Sequence, residues 1–188
     1  RRLLDDMRLV KDAHELDTMR RAAAISIDAH KRAMAVTRPG RHEFEIEAEL
    51  AHEFIRRGAR APAYPSIVAS GPNACVLHYV ENTRRMEAGD LLLIDAGCEL
   101  DGYASDITRT FPVGGRFTPP QRDIYELVLA AQAAAIAAVK AGAHWEAPHE
   151  AALGVLVRGF IDFGLCQGTP EAVIESGDYR RFYMHRTG

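Results

Sequence analysis

The sequence is poor in cysteine. Cys75, Cys98 and Cys166 are odd in number, far apart and outside any Cys-x-x-Cys arrangement. That argues against a disulfide framework or a thiolate zinc site, and for a reducing cytoplasm. Free cysteine behaves as a small apolar residue, so burial is expected for all three. Positive charge is not in excess either. The 23 Lys+Arg face 26 Asp+Glu, for a formal net charge of −3. A basic surface that grips a phosphate backbone is thereby disfavoured, and no nucleic-acid partner is expected. Long hydrophobic runs are missing. The longest nearly apolar stretch, Leu127 to Val139, is interrupted by Gln132. It is too short to span a bilayer and reads as a buried helix, so no membrane partner is expected. No charged segment followed by an apolar core opens the chain, which argues against a signal peptide. A Gly-rich phosphate loop and a Gly-x-Ser-x-Gly elbow are also absent.

What remains is an ordinary globular composition. The 188 residues are 47 % apolar and 26 % charged. That is enough chain for one domain, or slightly more, with a real core, and it disfavours disorder. The opening Arg1-Arg2-Leu3-Leu4-Asp5-Asp6 lacks a start Met, and the closing Tyr183-Met184-His185-Arg186-Thr187-Gly188 is not a polar tail. Both ends read as the interior of a longer chain, and a fragment is expected.

The hydrophobic spacing lays out the elements. Asp12 with Glu15 forms a capping-box start. Leu16, Met19, Ala23, Ile27 and Met34 then recur at helical spacing until Pro39-Gly40. A second helix is predicted from about Glu43 to Arg57, with Ile46, Leu50 and Phe54 on one face and Gly58 closing it. Two short strands follow, Ser66 to Ala69 and Cys75 to His78. Leu91 to Cys98 and Tyr103 to Val113 are longer strands. Thr118-Pro119-Pro120-Gln121 opens a helix to about Ala141. Another runs from about Ala147 to Phe163 and ends at Gly164, and a short one follows Thr169-Pro170. Two helices, several strands and two more helices suggest the start of a second helix–helix–strand unit, without any residue-level repeat.

The chemistry concentrates at Asp95 and Asp106. Asp101-Gly102 between two strand-like runs signals a two-residue hairpin. In that register Asp95 faces Thr108 and lies diagonal to Asp106, on the same side of the sheet. A four-residue loop would oppose the two acids directly, whereas an odd-length loop would send them to opposite faces. Opposed residues have Cβ atoms about 4.5–5.5 Å apart and diagonal ones about 7–8 Å. Asp95 follows four apolar residues, so its strand is expected to be buried on both faces. A buried unpaired carboxylate costs several kcal/mol. A shared proton, a basic partner or a metal cation could offset this. Arg109 is on the wrong alternation, which favours the metal. Two separately hydrogen-bonded acids on an odd-length hairpin are the competing reading. His78 ends an apolar run, and His185 sits in Phe182-Tyr183-Met184-His185. Either could be a packed core histidine. The other six histidines lie on or beside helices and read as surface or packing residues.

Three runs carry a family resemblance. Gly71-Pro72-Asn73-Ala74-Cys75-Val76-Leu77-His78-Tyr79, Gly89-Asp90-Leu91-Leu92-Leu93-Ile94-Asp95-Ala96-Gly97-Cys98 and Gly102-Tyr103-Ala104-Ser105-Asp106-Ile107-Thr108-Arg109-Thr110-Phe111-Pro112 closely resemble bacterial Xaa-Pro aminopeptidases (aminopeptidase P). The resemblance extends through Arg122-Asp123-Ile124-Tyr125-Glu126 to His185. It implies an α/β (α+β) pita-bread fold, here truncated before the strands of its second half. Residues 1–188 would be part of the C-terminal catalytic domain, with a preceding domain and the end of the catalytic domain absent. It implies two divalent ions, usually Mn2+, held by two Asp, one His and two Glu. Asp95 and Asp106 match the two Asp, Asp106 as the bridging ligand, and His78 and His185 match two substrate-side histidines. The ligand His falls four residues beyond His185, and the two Glu further on, so this chain alone is expected to be inactive. The implied substrates are peptides with an N-terminal residue followed by proline, and the parent is expected to be a cytoplasmic dimer or tetramer. A prolidase acting on dipeptides and a non-catalytic pita-bread binding module are the alternatives.

Overall fold

The computed structural model describes residues 2–187, without the side chain of Arg2. The chain divides at Phe117/Thr118 into two compact units. Among the described residues no helix is long and apolar enough to cross a membrane.

The first unit starts with α1 (Arg2–Leu9), α2 (Ala13–Val36) and α3 (Glu43–Arg56). The capping box at the start of α2 is present: Glu15 N donates to Asp12 Oδ1 and Asp12 N donates to Glu15 Oε2. The face that α2 buries is not the one its apolar spacing suggests. Leu16, Met19, Ile27 and Met34 are all exposed, whereas Ala22, Ile25, Ala29 and Ala33 are buried beside Thr18, Ser26 and His30. Small residues win this face because they let the helix lie close to the sheet. Helix α3 follows expectation: Ile46, Leu50 and Phe54 are buried in the core cluster, and Gly58 takes the positive φ of a helix terminator.

Six strands follow: β1 (Ala61–Pro62), β2 (Ile67–Ser70), β3 (Leu91–Ala96), β4 (Cys98–Leu100), β5 (Tyr103–Ala104) and β6 (Ile107–Pro112). They form two antiparallel sheets, ordered β2-β3-β6 and β1-β4-β5. The two long strands expected from sequence are therefore each broken. The break in the first is Gly97. A Cβ there would fall 1.7 Å from the Ser105 carbonyl oxygen, so only glycine fits. The hairpin turn is the expected one. Asp101 and Gly102 both have positive φ, as a type I′ turn requires. The expected strand from Cys75 to His78 does not form. Gly71–Cys75 is a 3-10 turn, and His78 has φ 55°. Gly71 and Pro72 start a turn where β pairing would have had to continue. Nor is β3 buried on both sides. Leu92, Ile94 and Ala96 face the core, while Leu91, Leu93 and Asp95 are half-buried. Of the cysteines, Cys98 is buried in this unit, but Cys75 is exposed at the end of the 3-10 turn.

The second unit comprises α4 (Pro119–Ala138), α5 (Ala147–Asp162) and α6 (Pro170–Ser176), followed by a 3-10 turn at Asp178–Arg181. Helix α4 starts after Thr118 as expected, with Thr118 N donating to Gln121 Oε1. It is not a buried helix. Only Ala131 and Ala135 are buried on it. Val128, Ile136 and Val139 are exposed, and they line an apolar cleft of about 720 Å³. Helix α5 contributes Leu153, Leu156, Val157 and Phe160 to the core of this unit, along with the buried Cys166.

Candidate metal centre

Register places the two aspartates. Asp95 on β3 pairs with Thr108 on β6, and Ala96 pairs with Ile107. The pairing across the turn keeps the same register, with Leu100 opposite Tyr103. Asp106 lies two residues before Thr108, so it is diagonal to Asp95 on one face of the hairpin. This is the even-loop geometry expected from Asp101-Gly102. Asp95 is half-buried and Asp106 exposed.

A third residue, invisible to the sequence reading, joins them. The Tyr64 hydroxyl lies 2.6 Å from Asp95 Oδ1 and 2.8 Å from Asp106 Oδ1. Its placement is the work of the Gly97 break. On one side Ala61 and Pro62 pair with Glu99 and Cys98, and Ala63 N donates to Gly97 O. On the other side Ile67 pairs with Asp95. Tyr64 crosses between the two sheets at that point, over the acid pair. It stands in an irregular segment, Ala63-Tyr64-Pro65-Ser66, where neither period 2 nor period 3.6 can assign a direction.

The donor chemistry of this cluster fits a cation. A phenol has one proton, yet two carboxylates stand at hydrogen-bond distance from its oxygen. The two therefore share a single proton. Two carboxylates converging on one shared proton leave negative charge in excess at this point. Burial pushes the Tyr64 phenol up from its ordinary pKa, and the bonds to Asp95 and Asp106 push it further, so its proton stays. A divalent ion with hard oxygen preference would supply the missing charge. Two carboxylates are too few to complete such a site. Among the described residues, no group of three or more His, Cys, Asp and Glu is arranged to hold a metal.

His78 lies in the irregular segment 71–84 of the first unit and is exposed. It is neither the end of a strand nor a packed core residue. His185 belongs to the second unit, after the 3-10 turn, and its Nδ1 is 2.9 Å from Arg186 O.

A buried carboxylate supports the 71–84 segment. Glu43, at the first turn of α3, is 0 % exposed. It accepts from Ser70 N and Ser70 Oγ, both at 2.7 Å, from Tyr79 OH at 2.7 Å and from Arg84 N at 2.9 Å. Asn73 Nδ2 donates to it at 3.2 Å. Burial raises its pKa, but bonds from Ser70, Tyr79 and Arg84 outweigh that and hold it below the usual carboxylate range. In the sequence, Glu43 marks only the start of a helix. Nothing in its spacing distinguishes a buried acid there from an exposed one.

Comparison with known proteins agrees with this geometry. The sequence pattern of Metallopeptidase family M24 matches residues 17–188. The chain is 49 % identical over 188 residues to the Xaa-Pro aminopeptidase of Haemophilus influenzae, covering all of this chain and 44 % of that protein. Its fold matches aminopeptidase PepP of Pseudomonas aeruginosa with a TM-score of 0.97 and 54 % identity, over 98 % of this chain and 42 % of that one. Zn-substituted Escherichia coli aminopeptidase P in complex with product matches with a TM-score of 0.93 and 45 % identity, over 96 % of this chain and 41 % of that one. The chain thus spans less than half the length of these relatives, and over that span it has their mixed α/β pita-bread fold. The match of the family pattern to nearly the whole chain, with a paired-aspartate hairpin inside it, makes this chain a member of Metallopeptidase family M24.

Proposed function

We propose that this chain forms part of the catalytic domain of an Xaa-Pro aminopeptidase, which releases the N-terminal residue from peptides with proline second. The observation that carries this is the Asp95–Tyr64–Asp106 cluster, set in a chain 49 % identical to one Xaa-Pro aminopeptidase and 54 % identical to a structurally matched aminopeptidase. Asp95 and Asp106 are the residues of this chain that would hold two divalent ions, of which Mn2+ is our assignment. Such ions, when bound, lower the pKa of water and polarise a carbonyl. The chain's own groups do the rest. Tyr64 keeps both carboxylates turned to one side and withholds its proton from exchange with them. His78 and His185 hydrogen-bond the substrate and the oxyanion that develops on its carbonyl. We place the protein in the cytoplasm as a homo-oligomer, with its three cysteines as free thiols.

The test uses the full-length protein, stripped with a chelator and reloaded with Mn2+ or Zn2+. Xaa-Pro-Yaa peptides are expected to lose their first residue, with Mn2+ restoring most activity. Cleavage of Xaa-Pro dipeptides alone would make the protein a prolidase. Tight peptide binding without hydrolysis under every metal would make it a binding module.

A further inference from the structure

Strand β2 has two edges, and among the described residues only one is paired with a strand. Its inner edge meets β3, with Ile67 opposite Asp95 and Ala69 opposite Leu93. Side chains seal the outer edge. Asn82 Oδ1 accepts from Val68 N at 3.0 Å and Asn82 Nδ2 donates to Ser66 O at 2.9 Å. Glu43 Oε1 accepts from Ser70 N at 2.7 Å. Residues 66, 68 and 70 are the outward-facing backbone groups of this strand, and each finds a buried side-chain partner. The segment between Ser70 and Arg84 is thus docked against the strand that pairs with Asp95, without being a strand itself.

Glu43 holds that segment at several places. It binds its start through Ser70, its 3-10 turn through Asn73, its middle through Tyr79 and its end through Arg84. The start of α3 is tied in as well, because Glu43 N donates to Arg84 O at 3.0 Å. Tyr79 is the residue after His78. Its hydroxyl, which donates to Glu43, also accepts from Thr83 N at 3.2 Å. Tyr79 and Asn82 are both buried, while His78 between Leu77 and Tyr79 is exposed. His78 and Asn82 have φ of 55° and 49°, the left-handed region that non-glycine residues seldom enter. Such a conformation persists only where its surroundings fix it.

We propose that Glu43 is a positioning residue. Through Tyr79 it fixes the strained backbone that presents His78 toward substrate. The carboxylate reaches no reacting atom. Its effect passes through the Tyr79 hydroxyl, one residue from His78, and through the two ends of the segment. The proposal rests on the Xaa-Pro aminopeptidase reading for the role of His78.

The experiment uses the full-length, metal-loaded protein with Glu43→Gln, Tyr79→Phe, His78→Ala and the double variant Tyr79→Phe/His78→Ala. Tyr79→Phe removes one bond to a carboxylate that keeps its others, so it reports even if Glu43→Gln does not fold. Misplacing a substrate-facing group by about 1 Å can cost about 100-fold in rate. Tyr79→Phe is therefore expected to lower kcat roughly 10- to 100-fold with KM and metal content near wild type. In the His78→Ala background the same change is expected to cost nothing further. Amides of residues 73–83 are expected to exchange hydrogen faster in both Glu43→Gln and Tyr79→Phe, without substrate present. Losses that multiply in the double variant would overturn the proposal, as would an unchanged kcat in Tyr79→Phe. If the wild-type protein does not cleave Xaa-Pro peptides, the functional reading fails by itself. Hydrogen exchange then decides whether Glu43 holds the segment, and unchanged exchange rates overturn that too.

Discussion

Gly97 and Ser105 approach so closely that their backbones leave no room for a side chain at position 97. A Cβ there would lie 1.7 Å from the Ser105 carbonyl oxygen. Ser105 N donates to Cys98 O at 2.9 Å, and Ser105 Oγ is 2.8 Å from Ser26 Oγ on α2. This contact breaks the hairpin between the two aspartates and lets Tyr64 cross above them. Gly97→Ala should therefore force backbone movement, not merely a rotamer change. The expected cost is about 3 kcal/mol or more. Urea denaturation of the full-length protein measures it. A midpoint equal to wild type would show that the approach is dispensable.

Tyr64→Phe removes one hydroxyl and leaves the ring. The fold should survive, while Asp95 and Asp106 lose the group that orients them. Outer partners of metal ligands typically contribute 10- to 100-fold in affinity or activity. Mn2+ affinity of Tyr64→Phe, measured by calorimetry on the full-length protein, should fall in about that range. Unchanged affinity would remove Tyr64 from the site.

Asp95→Asn and Asp106→Asn each take away a carboxylate that the proposed site needs. Metal content and turnover should be lost together. His78→Ala should keep the metal and slow the reaction. Plasma emission spectrometry beside a peptide assay separates the two patterns. Metal loss from His78→Ala would make His78 a ligand.

Acid should act through α3. Glu53 is buried, and Arg56 and Arg57 bond to it. Those hydrogen bonds, Arg56 first, pull its pKa from 4.5 to about 2. A depressed carboxylate pKa stabilises the folded state above the unfolded value, and that contribution disappears as pH falls through the folded value. The stability difference between wild type and Glu53→Gln should then be full above pH 4.5 and shrink toward pH 2. Denaturant midpoints across that window check it. A difference that grows on acidification would reverse the sign and reject this account.

Much of this was legible beforehand because it depends on local rules. The Asp12–Glu15 cap, the buried Ile46-Leu50-Phe54 face and the Asp101-Gly102 register are all set within a few residues. The register alone put Asp95 and Asp106 on one face. Where the reading failed, a longer-range contact decided. Helix α2 buries Ala29 and Ala33 instead of Ile27 and Met34 because what it packs on selects small residues. The apolar run Cys75 to Leu77 is no strand, and side chains of Asn82 and Glu43 occupy the outer edge of β2 instead. Tyr64 and Glu43 lay out of reach because their partners come from residues more than twenty positions away. The metallopeptidase family was legible from the three motif runs, whereas the phenol between the acids was not.

The aspartate hairpin has a kinetic meaning as well. Its two acids are eleven residues apart and joined by a type I′ turn. Hairpins close in about 1–10 μs, well before distant segments find one another. The carboxylates are thus set side by side early in folding, while Tyr64 arrives from 31 positions upstream of Asp95. Until it does, two negative charges face each other without a proton donor between them. The repulsion between the two acids is therefore greatest in that interval and falls when the Tyr64 hydroxyl docks between them.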